Sequence, residues 1–600
     1  MENKFKKQKK FYQKFLIFNF KHPFSKLNRR SRSDMIKKPL ITLLLMIMLG
    51  FCSISYSQQW VRTYSGNYKG DATSVINEAH AIALGGENTS FVTGFSTDSS
   101  GHTAMCTILY GSDGTQLWLK NYTDTGMIGG GDAKAYAITV DAAGEDAFIT
   151  GYSTDSLGAA ITTIKYARSS GQLMWISRYY DSTITDSKAY AISVDAAGDL
   201  IVSGYGKLSN TPDEEIIVIK YHPTSGDTVW VSKYHVHPVN VAKTLAVDKD
   251  NNIIVTGYVA DDTLLTGSED YITIKYSSSD GSVLWAKTYN GPGNSTDIAQ
   301  AMAVDDSNNV YITGYSTGDG SGLDYCTIKY YSNGEPAWIK RYNGPGNSDD
   351  IANKMVFAKG SVIVTGSSRS GQVAGTEDYL TINYDAGTGN SVWDKRCDGT
   401  GSNTDIAYSV AYSPVTEAVY VTGTCAHGET ESTEDMVTIA YSVDSTGAVQ
   451  DSLAYNSPYN NQDVAYDVKV DSLNNVYVTG YTVTSGDRPS KVTQIVTMRY
   501  GASGKKQTKN NIPVAFKLYQ NYPNPFNPST TIKFDIGRAS NVKIVIYDIL
   551  GREVAMPVNS MYTPGNYEIR YNMQNLASGI YFYQLITDSF RDVKKMVLLK

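Results

Sequence analysis

An all-β fold of repeated four-strand units is what this sequence predicts, and three observations predict it. The first is composition: 600 residues with 45 tyrosines, 52 glycines and only 19% charged residues. Tyr and Thr favour strands, and Gly and Asn favour turns. The second is that short runs of strand-forming residues, broken by Gly, Asp, Asn or Ser, fill the chain from Trp60 to Tyr500 with no sustained helical period. The third is that these runs repeat.

One unit shows the pattern: Ala299 to Asp305, Asn309 to Tyr315, Cys326 to Tyr330 and Trp338 to Tyr342. A first-strand alanine recurs at Ala79, Ala135, Ala189, Ala242, Ala299, Ala352, Ala407 and Ala465, spaced 53 to 58 residues apart. A second-strand glycine recurs from Gly94 to Gly480 and a third-strand tyrosine from Tyr110 to Tyr500, each eight times. A fourth strand follows in most units, marked by Trp118, Trp175, Trp230, Trp285, Trp338 and Trp393, and degenerate in Val449 to Tyr455. It is missing after Tyr500, but an orphan copy, Trp60-Val-Arg-Thr-Tyr64, precedes the first unit. The orphan is expected to complete the eighth unit, which leaves no open edge. The prediction is therefore an eight-bladed β-propeller of four-stranded blades closed by an N-terminal strand, residues 58–500. Small alanines suit the crowded innermost strands, and tryptophans fill the splayed outer ones. The glycine inside Val-Thr-Gly-Tyr suggests a bulge or a close backbone approach. Across this region the chain resembles the SBBP-type β-propeller repeat family, which implies a fold and little chemistry.

The ends differ from the repeats. Lys and Arg crowd residues 1–38, Leu40 to Cys52 is almost wholly apolar, and Ser55-Tyr56-Ser57 places small residues at the −3 and −1 positions. Residues 1–57 thus read as a basic extension and a secretory signal peptide cleaved after Ser57, with Met35 as an alternative start. The apolar run is shorter than a membrane span, so no stable transmembrane anchor is expected. Residues 501–512 read as a linker. After it, 513–600 contains short strands at Thr531 to Ile536, Val542 to Tyr547, Gly565 to Tyr571 and Gly579 to Ile586, which predict a small Ig-like β-sandwich. Tyr522, Pro523, Asn524, Pro525, Phe526, Asn527 and Pro528 form one continuous motif. Further on come Tyr547-Asp-Ile-Leu-Gly551-Arg-Glu-Val, Leu576-Ala-Ser-Gly579-Ile-Tyr-Phe-Tyr, and a tail with Lys594 and Lys595. Together these resemble the type A C-terminal sorting domain of the type IX (Por) secretion system. The resemblance implies secretion machinery and sortase as partners, passage through the periplasm, and delivery to the outer-membrane surface or the medium.

Chemistry is sparse. The formal charge of −6 leaves no basic face for nucleic acid. Gly-x-Ser-x-Gly, His-Glu-x-x-His and phosphate-loop patterns are absent, and no repeat position is assigned a histidine. No catalytic residue is assigned, and binding is favoured over catalysis. The long connections from second to third strand and from fourth to first strand share one face, which is the expected functional face. There Asp297, Asp350, Asp405 and Asp463 each stand two residues ahead of the repeat alanine, with Asn77 and Asn240 in the same place elsewhere. Converging at the channel mouth, these carboxylates would suit a hydrated cation such as Ca²⁺ or a polar ligand. As Asx-type caps, they would instead bind their own Gly-rich turns, as in Gly291 to Asp297. Asp248 to Asn252 reads as an Asx turn, and His235 and His237 as exposed loop residues. Cys106 and Cys326 sit at equivalent repeat positions, whereas Cys397 and Cys425 have the option of a bridge. No metal or other cofactor is otherwise implied. The expected protein is a monomeric secreted or cell-surface propeller that binds an unknown glycan or protein. The alternative is a secreted carbohydrate-active hydrolase or lyase using top-face carboxylates. Aromatic platforms such as Tyr68 would favour glycan binding.

Overall fold

A computed structural model describes residues 55–66, 75–123, 131–261, 267–371, 377–399, 404–426, 434–485, 491–503, 516–536, 540–562, 565–574, 576–587 and 590–599. Most of residues 1–57, residues 504–512 of the expected linker and Tyr68 lie outside them, whereas 501–503 belong to the last propeller strand and not to the linker. Eight antiparallel four-stranded sheets follow one another along the chain. Blades one to seven span 77–122, 133–178, 184–234, 239–289, 297–342, 350–397 and 406–455. Blade eight joins Asp463–Val470, Val476–Ser485 and Val492–Ser503 to the N-terminal strand Ser55–Tyr64, as the orphan copy predicted. The first strands pack side by side right round the axis, and that of blade eight packs on that of blade one. The ring is closed. Among the described residues no helix is long and apolar enough to cross a membrane.

The marks that revealed the repeat are structural. All eight first-strand alanines are fully buried. Each of the seven tryptophans sits on a fourth strand and donates its indole N–H to a carbonyl of the following blade. Trp393 to Asp444 O is 2.9 Å, and Trp118 to Arg168 O is 2.7 Å. The receiving turn carries a glycine with positive φ, such as Gly447 at 55° or Gly171 at 64°, where a Cβ would strike the indole. Glycine is thus required twice over, by conformation and by space.

The strand completing blade eight begins at Ser55, inside the segment expected to be removed with the signal. Tyr56 belongs to it: its amide donates to Asp451 at 2.8 Å, and its hydroxyl bonds Tyr420 at 2.6 Å and the Asn474 side chain.

Beyond the linker stand two sheets. Lys517–Leu518, Ser529–Ile536 and Gly565–Asn572 form one. Glu553–Tyr562, Ser540–Tyr547, Gly579–Ile586 and Arg591–Leu598 form the other. Residues from both share one core around Phe534, Ile544, Tyr583 and Met596. Lys517–Leu518, Glu553–Tyr562 and Arg591–Leu598 add three strands to the four read from sequence. The sorting motif stitches the chain's last strand to this core. Phe526 is buried and exchanges backbone hydrogen bonds with Val597 (3.0 Å) and Leu599 (2.9 Å). Asn524 receives the Val597 amide at 2.9 Å and donates to Lys595 O at 3.2 Å. Tyr522 stays exposed.

Candidate functional site at the channel mouth

In every blade the repeat alanine lies opposite the repeat glycine, and directly after it the register slips by one residue. The slip is a β-bulge, which leaves one residue unpaired and re-aims its side chain. A Cβ on the glycine would collide with the carbonyl oxygen of the residue before the alanine, so the bulge needs glycine there. The unpaired residues are His80, Tyr136, Tyr190, Lys243, Gln300, Asn353, Tyr408 and Tyr466, one per blade and all partly exposed. They sit early in the innermost strands, on the side of the fourth-to-first connections.

These side chains meet from blade to blade. Ring centroids are 5.3 Å apart for Tyr408–Tyr466, 5.2 Å for Tyr466–His80, 5.8 Å for His80–Tyr136 and 5.4 Å for Tyr136–Tyr190. The Lys243 ammonium then stands 5.4 Å from the Tyr190 ring. The residue after each repeat glycine adds a second tier: Phe95 stacks on His80, Tyr152 lies beside Tyr136, Tyr205 stacks on Tyr190 and Tyr481 lies beside Tyr466. Burial pushes the phenols of Tyr136 and Tyr190 up, and that of Tyr258, which follows the blade-four glycine Gly257, up to about 12, so they remain neutral hydrogen-bonding groups. Burial lowers the Lys243 ammonium.

The ring is lopsided. Lys134 lies 4.2 Å from the Phe95 centroid and Lys188 4.8 Å from that of Tyr152, so blades two to four each send a lysine over an aromatic ring of the preceding blade. Such contacts are cation–π pairs. Blades five to seven carry Gln300, Asn353 and Tyr408 at the bulge, and just before the repeat alanine they have Ile298, Ile351 and Ile406 where blades two and three have Lys134 and Lys188. One turn deeper, Asp467 accepts from Ser409 Oγ at 2.8 Å and Ile82 N at 3.1 Å, tying blade eight to blades seven and one. Burial opposes its ionisation, but Lys469, Lys354 and the Ile82 amide hold its carboxyl below the usual range.

The four aspartates singled out from sequence lie in the seams between blades. Each accepts the amide six residues earlier: Asp297 from Gly291 (2.5 Å), Asp350 from Gly344 (2.5 Å), Asp405 from Gly399 (2.6 Å) and Asp463 from Ser457 (2.7 Å). The capping geometry foreseen for them is therefore present. Across each seam stands a carboxylate of the preceding blade: Asp270, Asp324, Asp378 and Asp435 respectively. Arg341 holds Asp324 at 2.8 Å and Arg396 holds Asp378 at 2.7 Å. At the corresponding place blade four has Thr288 and blade seven Ala454. Burial, reinforced by Asp297, pushes Asp270 up to about 6, and burial, with Asp435 adding, pushes Asp463 up to about 6. Asp378, Asp398 and Asp405 bring one oxygen each within 4.8 Å of one another.

Of the remaining sequence readings, Asp248 accepts the amides of Asp250 and Asn252 as an Asx turn and pairs with Lys275. His235 and His237 face Asp213 and Asp261. The four described cysteines form no disulfide, so Cys397 and Cys425 are not bridged. His80 does occupy a repeat position, contrary to the sequence reading: it is the bulge residue of blade one. The in-strand glycine was the available signal for this site, because a bulge implies an extra residue beside it.

Residues 520–599 match the family model of the secretion system C-terminal sorting domain, and residues 284–320 match that of the β-propeller repeat. No curated protein matches the chain. Among solved structures it is similar to PorZ, an essential surface component of the type IX secretion system of Porphyromonas gingivalis, at 13% identity and a TM-score of 0.35. That match covers 89% of this chain and 60% of PorZ. Sqt1 of Chaetomium thermophilum matches at 9% identity and a TM-score of 0.45, over 75% of this chain and all of Sqt1. A quinohemoprotein alcohol dehydrogenase of Pseudomonas putida matches at 12% and 0.40, over 78% and 79%.

Proposed function

We propose that this chain, a β-propeller repeat protein exported by the type IX secretion system to the cell surface or the extracellular space, is a binding module that recognises glycan at its channel mouth. The observation that carries this reading is the bulge ring: a run of touching, partly exposed aromatic side chains held on rigid innermost strands. Rigid aromatic platforms give contact area at little entropic cost. The seam carboxylates that a hydrolase or lyase would use accept backbone amides of their own turns, which favours binding over cleavage.

The test is retention of the full exported chain on a panel of immobilised polysaccharides, alongside Tyr136→Ala/Tyr190→Ala. Truncating two central anchors is expected to weaken retention at least tenfold while the melt stays cooperative, its midpoint lowered by the lost ring contacts. Equal retention of the variant and the parent removes the mouth as the recognition surface.

A further inference from the structure

Of the four buried lysines among the described residues, three pair with an aspartate, and the fourth, Lys329, lies over Tyr311 and donates to Ala386 O at 2.9 Å. Lys165, Lys220 and Lys275, which lean inward from third strands, each pair with an aspartate, Asp146, Asp195 or Asp248, at 2.7 to 2.8 Å. Lys233 is held by both Asp181 and Glu215. Lys134, Lys188 and Lys243 form no salt bridge with any described carboxylate. Their ammoniums rest over Phe95, Tyr152, Tyr190 and Tyr258 instead. The acidic groups near them are engaged otherwise: Glu78, in the place of Lys134 and Lys188 in blade one, faces His80 at 3.7 Å, Asp132 beside Lys134 accepts the Thr103 amide and hydroxyl, Glu269 is held by Thr296 and Gly267, and Glu434 by Gln462. Glu214 stands near Lys188 and Lys207 but beyond ion-pair distance. Three consecutive blades therefore offer a positive charge beside an aromatic face, all on one side of the channel.

An ammonium packed on a ring keeps its charge while losing part of its water, so an anion arriving there gains more than it would at an exposed lysine. From this arrangement, and resting on the glycan-binding reading above, we infer that the mouth takes polysaccharides that carry carboxylate groups, with Lys134, Lys188 and Lys243 meeting the carboxylates. The ring faces of Tyr136, which has only edge-on and tilted ring contacts, take the C–H faces of the sugars, and the hydroxyls of Tyr136 and Tyr190 meet the hydroxyl rim. An acidic peptide would satisfy the lysines but leave these ring faces without a partner of matching shape.

The experiment uses the full exported chain and four probes: polyglutamate, and the polysaccharides polygalacturonate, alginate and hyaluronate, each polysaccharide beside its carboxyl-reduced neutral form. At least one acidic probe is expected to bind tenfold or more tighter than its neutral form, with affinity falling as salt rises. Lys134→Gln/Lys188→Gln/Lys243→Gln is expected to bind both forms alike and without salt dependence. Lys243→Gln alone gives a partial loss should the triple variant fold poorly. Equal, salt-insensitive binding of acidic and neutral forms overturns this inference and leaves glycan binding standing. Binding to polyglutamate with none to any polysaccharide overturns both, as does no binding to any probe.

Discussion

Seven seams of the propeller are closed by a tryptophan, and the eighth is closed by the chain's own beginning. In the seven, an indole from one blade lies under a glycine turn of the next and donates to its backbone. In the seam between blades seven and eight, Asp451 holds the tryptophan's register position, opposite Ala440 where Trp338 faces Lys329. That carboxylate accepts the Tyr56 amide, and the Tyr56 ring meets Tyr420 edge-on at 5.6 Å. The difference follows from connectivity. Blade eight has no hairpin between its third and fourth strands, because the fourth comes from the other end of the chain. No glycine turn exists there for an indole to lie under, so a charged acceptor takes up the free amide of an incoming strand. Apolar packing holds the seven seams, and directional hydrogen bonds fix where the ring shuts.

The largest effect is expected from removing the closing strand. A chain beginning at Gly66 leaves Val492–Ser503 as an exposed edge, and the loss should exceed 5 kcal/mol, seen as a lost cooperative melt and aggregation in size-exclusion chromatography. A chain beginning at Gln58 loses only the contacts of Tyr56 and its neighbours and should cost about 1–2 kcal/mol. Equal melts for both would mean that the ring closes without the strand.

Next is a tryptophan seam. Trp393 is buried, packs on Tyr441 at 5.9 Å and donates to Asp444 O. Trp393→Ala should cost about 3–5 kcal/mol by chemical denaturation. Asp451→Ala, its counterpart at the eighth seam, should cost about 1–2 kcal/mol because it removes a hydrogen bond and little apolar contact. The reverse order would show that the closing seam carries the ring.

The repeat was legible because it is written in residue types that sterics permit nowhere else. Alanine survives where eight strands converge, glycine where a carbonyl crowds the pleat, and tryptophan where blades splay. Trp60 revealed the closure for the same reason. What sequence did not disclose was the bulge residue. His80, Tyr136, Lys243 and Gln300 share a position but no chemistry, so nothing marks them as equivalent until the slipped register is seen. The seam carboxylates were half legible: Asp297 and its equivalents stood out, but their partners Asp270 and Asp435 lie on another blade and share no local pattern with them. In the sandwich, Arg591–Leu598 was hidden among charges because every second residue faces solvent.

A third effect separates seams with an arginine from the one at blades seven and eight. Burial, with Asp435 adding, lifts Asp463 to about 6, against an ordinary value near 4 in the unfolded chain. The folded chain therefore takes up this proton first as pH falls. Its contribution is most unfavourable above about pH 6 and fades toward pH 4, so stability from this site rises as pH drops through that window. Asp463→Asn keeps an acceptor for the Ser457 amide, as Asn240 occupies the same place in blade four. The variant should gain on the order of 2 kcal/mol at pH 7 and nothing at pH 4, read as the difference between parent and variant melts. Asp350→Asn, with Arg396 beside the site, should show a smaller difference.

The smallest effect is expected from calcium. Hard cations need several free oxygens converging on one point. At the seams at least one oxygen of each aspartate is already engaged: amides hold Asp297, Asp350, Asp405 and Asp463, and Arg396 holds Asp378, while Asp463 Oδ1 is buried with no hydrogen-bond partner. Among the described residues the trio Asp378, Asp398 and Asp405 brings one oxygen each within 4.8 Å of one another. A bound ion there would have to displace the Arg396 guanidinium or the Gly399 amide, each at hydrogen-bond distance. Melts of the full chain in millimolar Ca²⁺ and in chelator should therefore coincide, for the parent and for Asp398→Asn alike. A rise of several degrees with Ca²⁺ in the parent, absent in Asp398→Asn, would show that an ion stabilises the native state. It would also make the seam between blades six and seven a metal-closed joint, a third kind beside the indole and the strand.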